Sequence, residues 1–418
     1  MIKIVFYFPY REECGVPVLF LRMARWIAQY HSDEYEVYVC DYVDGAMARN
    51  IEKDDRVKVY ESGTPEGVVI KNGDFLIMQS MIPYYWPKEL HLEQKAKVFY
   101  WTLHFRNLTP SLLPFLGLRD LPYNNLIIYK LCSLFYKKLL NGISQMINDM
   151  MAHNAHYYMD ISTQEQTELH TYIKTPMGMD YLPVPASDYN GPLKIYNPNK
   201  DVIDACWLGR ISYEKTPILI YILEKCSQYA LQYNKTIHFH VLGFGEYVEK
   251  IDNLHIENEF FTKTPVTSIQ FNEIDNYLLN NVDIMFAMGT SALESAKLGI
   301  PTVLVDYTST CKSINGDYIF NYIDKRTGYD LAHCISDNDL AVDNNSLNLI
   351  FDQLLNSYNV VASNSRKHFC ENHSLTSVGI KLYDILQKMD YTFDMINPKT
   401  IRCPWLLEKY NKLRGFER

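Results

Sequence analysis

Small and polar residues suited to a phosphate follow an apolar segment in the stretch 280–307. The apolar segment 283–288 predicts a buried parallel strand, and Ser291 opens a short helix after it. Ligands bind beyond the carboxyl ends of the strands in an open parallel sheet, and N–H groups at a helix start can bind phosphate. We therefore expect a nucleotide site that includes Gly289, Thr290, Ser291 and Glu294.

Glu294 allows two interpretations. Its carboxylate can accept hydrogen bonds from the ribose hydroxyls of a bound nucleotide. Ser291 and Glu294 also have the S-x-x-E spacing of a capping box, in which each side chain bonds a backbone N–H group at the helix start. This stretch by itself favours the capping box.

Two more strand ends carry residues suited to an anion or to a close ligand. The strand 202–208 leads into the loop GRISYEK, where two cations stand beside a helix start, although ordinary surface cations would fit the same pattern. The strand 238–242 ends in GFG, whose glycines allow close backbone approach. The candidate residues of these two loops are Gly209, Arg210, Lys215, Gly243 and Gly245.

The first half of the chain supplies further candidates. Strands and helices alternate from the opening strand 2–8 to the strand 98–103, which predicts a doubly wound parallel sheet. Gly15 lies in the loop after the opening strand, and His104 and Arg106 lie just past the strand 98–103. His104 is therefore a candidate at the ligand-binding edge, with a hydrogen-bonded structural histidine as the alternative.

Length and composition limit the function classes. The 418 residues are too many for one core and predict two domains of about 200 residues each. The net charge of −9 disfavours a general nucleic-acid binder, because no basic field displaces counterions from a phosphate backbone. The nine cysteines are scattered without metal-type spacing and suit a reduced core. The start of the chain resembles a strand rather than a signal peptide, and no segment reaches membrane-spanning length, so we expect a cytoplasmic protein.

Proline, glycine and asparagine residues between 179 and 200 mark a domain boundary. We expect an N-terminal domain over 1–190, a C-terminal domain over 191–390, and a tail over 391–418 that packs back on the N-terminal domain. The segment 109–150 has the pattern of an apolar and basic helical insertion, in which Ile127, Leu131 and Leu134 recur at helical spacing. It either packs on its own domain or holds the protein peripherally at the inner face of the membrane.

Three motifs occur in a fixed order in the second half: WLGRISYEK, VLGFG and MGTSALESAKLGIPTVLV. Together they resemble the donor domain of GT-B glycosyltransferases, most nearly the retaining, nucleotide-sugar-dependent enzymes of family 4. The first half adds the Gly15 loop, the WTLH strand end and the YLPVP segment. The resemblance implies an α/β fold with two Rossmann-like doubly wound domains facing a central cleft. The N-terminal domain would bind the acceptor and the C-terminal domain the nucleotide sugar.

The resemblance also implies the reaction. A sugar would move from a nucleotide-sugar donor, a UDP-sugar, to a glycan or lipid-linked glycan acceptor, as in bacterial-type surface polysaccharide synthesis. No cofactor, no metal and no nucleic-acid partner is expected. Two alternatives stay open, namely a nucleotide-sugar epimerase of the same fold and a non-catalytic protein that binds a nucleotide sugar or a partner glycosyltransferase.

By resemblance, Arg210 and Lys215 would neutralise the donor pyrophosphate without a metal, and Glu294 would bind the ribose as the second Glu of an E-x7-E pair. Eight residues earlier, where the family's first Glu would contact the donor sugar, this sequence has Phe286. Because Phe cannot accept a hydroxyl hydrogen bond, the backbone of the 289–291 turn would have to recognise the sugar instead.

The remaining candidates would lie along the donor, again by resemblance. Gly15 would lie beneath the donor phosphates, and His104 would face the transferred sugar. The other candidates would line the nucleotide pocket or present backbone N–H groups to phosphate or sugar: Gly209, Gly243, Gly245, Gly289, Thr290 and Ser291.

Overall fold

The computed structural model consists of two compact units, and each unit contains a six-stranded sheet. The first unit comprises Met1–Val184 and Leu375–Arg418, and the second comprises Pro185–Ser374. The structure describes the following residues of the chain: 1–52, 56–79, 87, 89–108, 126–171, 174, 175, 178, 180–308, 314, 316–342, 345–397, 405 and 409.

A parallel sheet with the strand order β3-β2-β1-β5-β7-β8 forms the centre of the first unit. Its central strands are apolar along most of their length, as in parallel sheets covered on both faces, and Val5, Phe6 and Leu76 are fully buried. The predicted doubly wound sheet is confirmed. The strands of this unit are β1 Ile2–Tyr7, β2 Tyr35–Asp41, β3 Lys58–Glu61, β4 Val68–Ile70, β5 Phe75–Met78, β6 Leu90–Leu92, β7 Lys97–Thr102 and β8 His156–Tyr158, with β4 and β6 paired separately.

Helices connect these strands and cover the sheet. The helix after β1 buries Phe20, Met23 and Ile27 against the core of the unit, while its polar residues face outward, which is the pattern of an amphipathic helix. The helices described in this unit are Gly15–Tyr30, Ala46–Arg49, Leu126–Ala152, Ile161–Thr171 and Leu375–Lys388, with 3-10 turns at Phe105–Leu108 and Phe393–Met395.

The second unit has a sheet with the strand order β11-β10-β9-β12-β13-β15, in which β15 alone is antiparallel to its neighbour. Its core contains Trp207, Phe239 and Phe286, all fully buried. The strands are β9 Val202–Leu208, β10 Thr236–Leu242, β11 Phe261–Lys263, β12 Ile284–Ala287, β13 Thr302–Leu304, β14 Asp317–Tyr318, β15 Asn321–Tyr322 and β16 Leu340–Ala341. The helices are Thr216–Tyr233, Val248–Asp252, Ile274–Asn281, Thr290–Ala296 and Ser346–Asn372, with 3-10 turns at Phe271–Glu273, Ile323–Lys325 and Asp337–Asp339.

The last helices show where the chain passes between the units. Helix Ser346–Asn372 belongs to the second unit, whereas helix Leu375–Lys388 belongs to the first. A Cβ atom on Gly379 would lie 2.3 Å from the Trp26 ring, so helix Leu375–Lys388 packs in close contact with helix Gly15–Tyr30 there. The units therefore divide at 184/185 and 374/375, whereas the sequence predicted divisions at 190/191 and 390/391. The prediction missed the division at 374/375 because helices Ser346–Asn372 and Leu375–Lys388 follow each other almost directly.

The predicted insertion lies partly outside the described residues, because 109–125 are not among them. Its second part is the helix Leu126–Ala152, whose later turns bury Leu139, Ile143 and Ile147 in the first core. Its early turns expose the side chains of Leu131 and Leu134 by 59% and 67%. None of the described helices is long and apolar enough to cross a membrane.

The start of the predicted tail contacts the first unit. Tyr391 is buried, its carbonyl accepts the Val98 N–H at 3.4 Å, and the Phe393 N–H donates to Ala96 O at 2.9 Å. Most of the tail after residue 397 lies outside the described residues.

Candidate functional site

The candidate residues of the second unit leave three neighbouring strands at one edge of the sheet. Leu208 at the end of β9 lies opposite Leu242 of β10 on one side and opposite Ala287 of β12 on the other. Strands β10 and β11 lie on one side of β9, whereas β12 and β13 lie on its other side. The strand order therefore reverses between β9 and β12. Ligands of open α/β sheets bind at such a reversal, beyond the carboxyl ends of the strands.

The loops after β9 and β10 are in direct backbone contact. The Gly209 N–H donates to Leu242 O at 3.0 Å, and the Ile211 N–H donates to Phe244 O at 2.8 Å. A Cβ atom on Gly243 would lie 2.1 Å from Gly209 O. Glycine is therefore required at position 243 by the approach of one loop to the other.

Gly245 has the same function in the loop pair. Its φ of +147° lies in a region that other residues rarely adopt, and a Cβ atom there would lie 2.2 Å from Ile211 O. The Tyr247 N–H then donates back to Ile211 O at 3.2 Å. The two glycines thus fix the position of the loop that carries Arg210 and Lys215.

Arg210 and Lys215 place two positive charges in this loop. The Arg210 side chain is 57% exposed and lies 3.4 Å from the Glu214 carboxylate. Lys215 is half-buried at the start of helix Thr216–Tyr233, and burial and then the charge of Arg210 lower the pKa of its ammonium group, against an opposing effect of Glu214. Among the described residues, no carboxylate oxygen lies within 4.0 Å of the Lys215 ammonium. An anion bound here would interact favourably with both cations.

The turn after β12 consists of two residues, Met288 and Gly289. Gly289 has a φ of +61°, and no atom lies within 4 Å of the position of a Cβ there, so the space beside this turn is open. Its own N–H donates to Leu331 O at 3.0 Å. The N–H groups of Thr290 and Ser291 have no acceptor among the described residues, so these two groups can bind an anion.

The predicted capping box at Ser291 and Glu294 is wrong. Helix Thr290–Ala296 begins one residue earlier than predicted, with Gly289 at the N-cap and no side-chain cap. Ser291 therefore lies inside the first turn, and the buried Glu294 instead bonds Lys297, which also lies 2.9 Å from Asp275. The bond to Lys297 uses Oε2 of Glu294, and its Oε1 makes no hydrogen bond to the described residues. The spacing of Glu294 and Lys297, three residues apart on a helix, is the sequence signal that could have found this pair.

Phe286 belongs to the core of the second unit. It is fully buried in β12, and its ring centroid lies 6.0 Å from those of Phe239 and Phe320. Its side chain belongs to the apolar core, one residue before the end of β12. The position where a first Glu was expected therefore holds an apolar core side chain instead of a carboxylate.

The first unit contains the other two candidates. Gly15 is the first residue of helix Gly15–Tyr30 rather than a loop residue, and the space around its Cα is open. His104 follows β7, is exposed, and stacks on Phe105 at a centroid distance of 4.5 Å. Its Nδ1 accepts the Arg106 N–H at 3.1 Å, so a neutral His104 carries its proton on Nε2.

Sequence reasoning missed a partly buried group of charges that we call the Arg326 cluster: Asp306, Arg326, Asp330, His333 and Asp339. The Arg326 guanidinium bonds Asp306 and lies 2.8 Å from the Asp330 carboxylate. The His333 ring lies 2.7 Å from Asp330 and 2.9 Å from Asp339. Arg326, Asp330 and His333 belong to one segment, at spacings of four and three residues. Asp306 and Asp339 come from other segments, so no local spacing predicts the whole cluster.

The cluster stabilises a charged histidine. Burial disfavours the charged form of His333, but the bonds to Asp330 and Asp339 outweigh this effect and raise its pKa to about 10. Burial of Asp339 is likewise outweighed by the bond from His333, which lowers the pKa of Asp339 to about 2. His333 is therefore an imidazolium at neutral pH.

Two groups of described residues have donor atoms close enough for a metal ion: Asp306, Asp330 and His333, and Asp204, His238 and His240. In the first group, the Arg326 guanidinium already bonds both carboxylates. In the second, the Lys200 ammonium bonds Asp204. A cation of the protein itself therefore neutralises the carboxylates of both groups.

No protein-family model matches the sequence, and no curated protein sequence matches it significantly. Solved structures do match. The galactosyltransferase WaaB of the lipopolysaccharide outer core has a TM-score of 0.52 at 10% identity, over 92% of this chain and 99% of that chain. The glycosyltransferase WaaG of lipopolysaccharide biosynthesis has a TM-score of 0.46 at 12% identity, over 92% and 99%. Anabaena Alr3699/HepE in complex with UDP and glucose has a TM-score of 0.45 at 12% identity, over 93% and 100%.

The likeness to WaaB covers both units of the chain, and at this level of identity it establishes the fold. The chain therefore has the GT-B fold of two Rossmann-like domains, as the sequence motifs predicted.

Proposed function

We propose that this protein is a glycosyltransferase that moves a sugar from a nucleotide-sugar donor, a UDP-sugar, to a glycan or a lipid-linked glycan. The observation that carries the proposal is the charge arrangement at the strand reversal of the second unit. Arg210 and Lys215 lie there in and at the end of the loop after β9, and the open turn at Gly289 follows the neighbouring strand β12. No carboxylate of the described residues neutralises Lys215. A diphosphate fits this arrangement, because the reversal is the usual ligand position of the fold.

The two cations have a defined role in this proposal. As the bond between sugar and phosphate breaks, negative charge grows on the leaving nucleoside diphosphate. Arg210 and Lys215 stabilise that charge, and they are already in place before the reaction starts. The reaction is proposed to retain the configuration of the sugar, with the departing phosphate helping to activate the acceptor hydroxyl. No metal takes part in it.

The Gly289 turn completes the donor site. The N–H groups of Thr290 and Ser291 bind a phosphate or the sugar, whereas the Gly289 N–H is already donated to Leu331. Glu294 accepts a ribose hydroxyl through Oε1, since Oε2 is bonded to Lys297. The two packed loops after β9 and β10 line the nucleotide pocket with their glycines, Gly209, Gly243 and Gly245.

By the resemblance, two residues of the first unit also have proposed roles. His104 would face the transferred sugar and donate a hydrogen bond from Nε2, because its Nδ1 already accepts the Arg106 N–H. Gly15 would lie beneath the donor phosphates, since the open space beside it allows close approach of a ligand to its backbone.

We propose that the protein reaches its acceptor at a membrane surface. The early turns of helix Leu126–Ala152 expose Ile127, Leu131 and Leu134 on one side, and Lys137 and Lys138 are exposed nearby. Such a helix binds an anionic leaflet through its apolar side chains and its cations together. The protein would then act in the cytoplasm at the inner face of the membrane. Co-sedimentation with anionic liposomes tests this. If the wild type binds the liposomes no better than the double variant Leu131→Ser, Leu134→Ser, the membrane proposal is refuted.

The donor site is tested by thermal unfolding with a panel of nucleoside diphosphates and nucleotide sugars. A ligand that binds only the folded state raises the apparent unfolding temperature, so the proposal expects a rise with UDP and UDP-sugars. Product analysis with the best donor then separates transfer to an acceptor from epimerisation of the donor. No rise with any nucleotide would refute the proposed function.

One observation favours a second candidate, a non-catalytic protein that binds a nucleotide sugar. Phe286 lies in the core, and the turn after β12 supplies no carboxylate to the sugar. A tight complex with a UDP-sugar, together with no turnover across a panel of acceptors, would support this candidate over the transferase.

A further inference from the structure

The Arg326 cluster joins two chain segments that extend toward the candidate donor site. Arg326 bonds Asp306, which begins the segment 306–308 after β13, and also Asp330, which begins the segment 330–333. Asp306 is fully buried and Asp330 nearly so, which leaves little water to weaken these bonds. Two further bonds add to them: the His333 N–H donates to the Asp306 side chain at Oδ1 at 3.0 Å, and the Tyr307 N–H donates to the backbone carbonyl of His333 at 3.0 Å.

Each of the two segments holds one loop of the candidate site. Leu331, between Asp330 and His333, accepts the Gly289 N–H at 3.0 Å and so fixes the turn after β12. Thr308 donates its N–H at 2.9 Å and its hydroxyl at 3.1 Å to the carbonyl of Glu214, the residue before Lys215. The cluster is thus the common support of the Gly289 turn and of the loop that carries the two cations.

We propose that the Arg326 cluster is a positioning device for the nucleotide-sugar donor: it sets the separation between the Lys215 ammonium and the N–H groups at the Gly289 turn. This inference rests on the proposed function. Without the guanidinium bridge, the segments 306–308 and 330–333 would be joined mainly by the backbone bonds from Tyr307 N–H to His333 O and from Ile335 N–H to Tyr307 O. The segments could then shift relative to each other, and both loops would move with them. A small displacement is enough to matter, because a misplacement of about 1 Å costs catalysis roughly a hundredfold.

Asp330→Asn is the sharpest test. The amide keeps the Oδ1 that accepts the Ala332 N–H at 3.2 Å, but it removes the negative charge between Arg326 and His333. Two readouts are expected to change in a folded protein: amide hydrogen exchange at Gly289 becomes faster, and the dissociation constant of UDP rises about tenfold or more. Unfolding temperature and circular dichroism report whether the variant is folded.

Asp283→Asn is the matched control. Asp283 is another buried carboxylate of the same unit, paired with Lys200 at 2.9 Å and Lys194 at 3.5 Å, but it precedes β12 at the opposite end of the strands. Its loss removes a comparable ion pair without touching either site loop. We expect UDP affinity within about twofold of the wild type and unchanged exchange at Gly289, since effects at distant sites are independent.

The outcomes separate the inference from the proposed function. If the wild type binds UDP and Asp330→Asn matches the control in both readouts, the positioning role is refuted while the proposed function stands. If the wild type binds no nucleoside diphosphate, both are refuted. Should Asp330→Asn not fold, His333→Gln is measured instead, and unchanged exchange at Gly289 in that variant would also overturn the inference.

Discussion

Lys215→Met and Arg210→Ala give the most direct test of the donor site, because the two cations differ in their surroundings. Lys215 is half-buried, whereas the Arg210 side chain is 57% exposed and faces Glu214. Two unit charges 5 Å apart interact by about 3 kcal/mol at the effective dielectric of a partly buried site, and by less than about 1 kcal/mol in water. Removing Lys215 should therefore cost about 3 kcal/mol of transition-state stabilisation, and removing Arg210 about 1 kcal/mol.

These energies correspond to measurable rates. A loss of about 3 kcal/mol lowers kcat more than a hundredfold, and about 1 kcal/mol lowers it roughly fivefold. Steady-state kinetics with the best UDP-sugar at saturating acceptor measures both. Methionine is used at position 215 because it retains most of the apolar stem of the side chain, so that packing is conserved while the charge is lost.

Lys225→Met is the matched control for these two variants. Lys225 lies further along helix Thr216–Tyr233 and pairs with Asp317 at 2.7 Å, away from the loops of the site. Its removal should leave kcat and KM unchanged within error. Full activity of Lys215→Met, or a larger loss in Arg210→Ala than in Lys215→Met, would refute the electrostatic reasoning.

Three further predictions concern stability and the loop contacts. Gly243→Ala should lower the free energy of unfolding by about 1–3 kcal/mol, because the added Cβ would overlap Gly209 O. Gly15→Ala is the control and should be neutral or slightly stabilising, since the space beside Gly15 is open. Chemical denaturation of the two variants measures the difference. His333 has a pKa raised to about 10, so its contribution to stability is complete below its ordinary pKa of about 6.5 and is lost as pH rises through about 10. Unfolding curves across this range should show the loss in the wild type, and an equal loss in His333→Gln would contradict the assignment. Glu294→Gln should destabilise by about 1–3 kcal/mol, because Lys297 loses its charged bond to Glu294 but keeps Asp275 at 2.9 Å. The double variant with Lys297→Met should lose less than the sum of the two single losses, and additive losses in the cycle would exclude the buried pair.

The fold was predictable from the sequence because its strands are short apolar runs that alternate with helices. The segments around β9, β10 and β12 each combine such a run with a glycine-containing end, and all three ends meet at one edge of the sheet. A parallel sheet brings consecutive carboxyl ends together wherever the strands pair. Arg210, Gly243 and Gly289 could therefore be selected as candidates from local patterns alone.

The supporting contacts could not be predicted in the same way. The capping box at Ser291 was inferred from spacing, but the positive φ of Gly289 starts the helix one residue earlier and frees Glu294 for Lys297. The Arg326 cluster forms between residues up to 33 positions apart, from Asp306 to Asp339, in segments without a regular pattern. Such contacts depend on the tertiary path of the chain, which no local periodicity encodes.

The return of helix Leu375–Lys388 to the first unit has a consequence for the order of folding during synthesis. The core of the first unit includes Val378, Leu382 and Leu386 from this helix, and these residues leave the ribosome only after the entire second unit has been made. Domains that are continuous in sequence can fold one after the other as they emerge. Here the second unit can complete its core first, while the N-terminal segment waits for the end of the chain. Truncation after Ser374 would therefore leave the first unit, and not the second, exposed to aggregation.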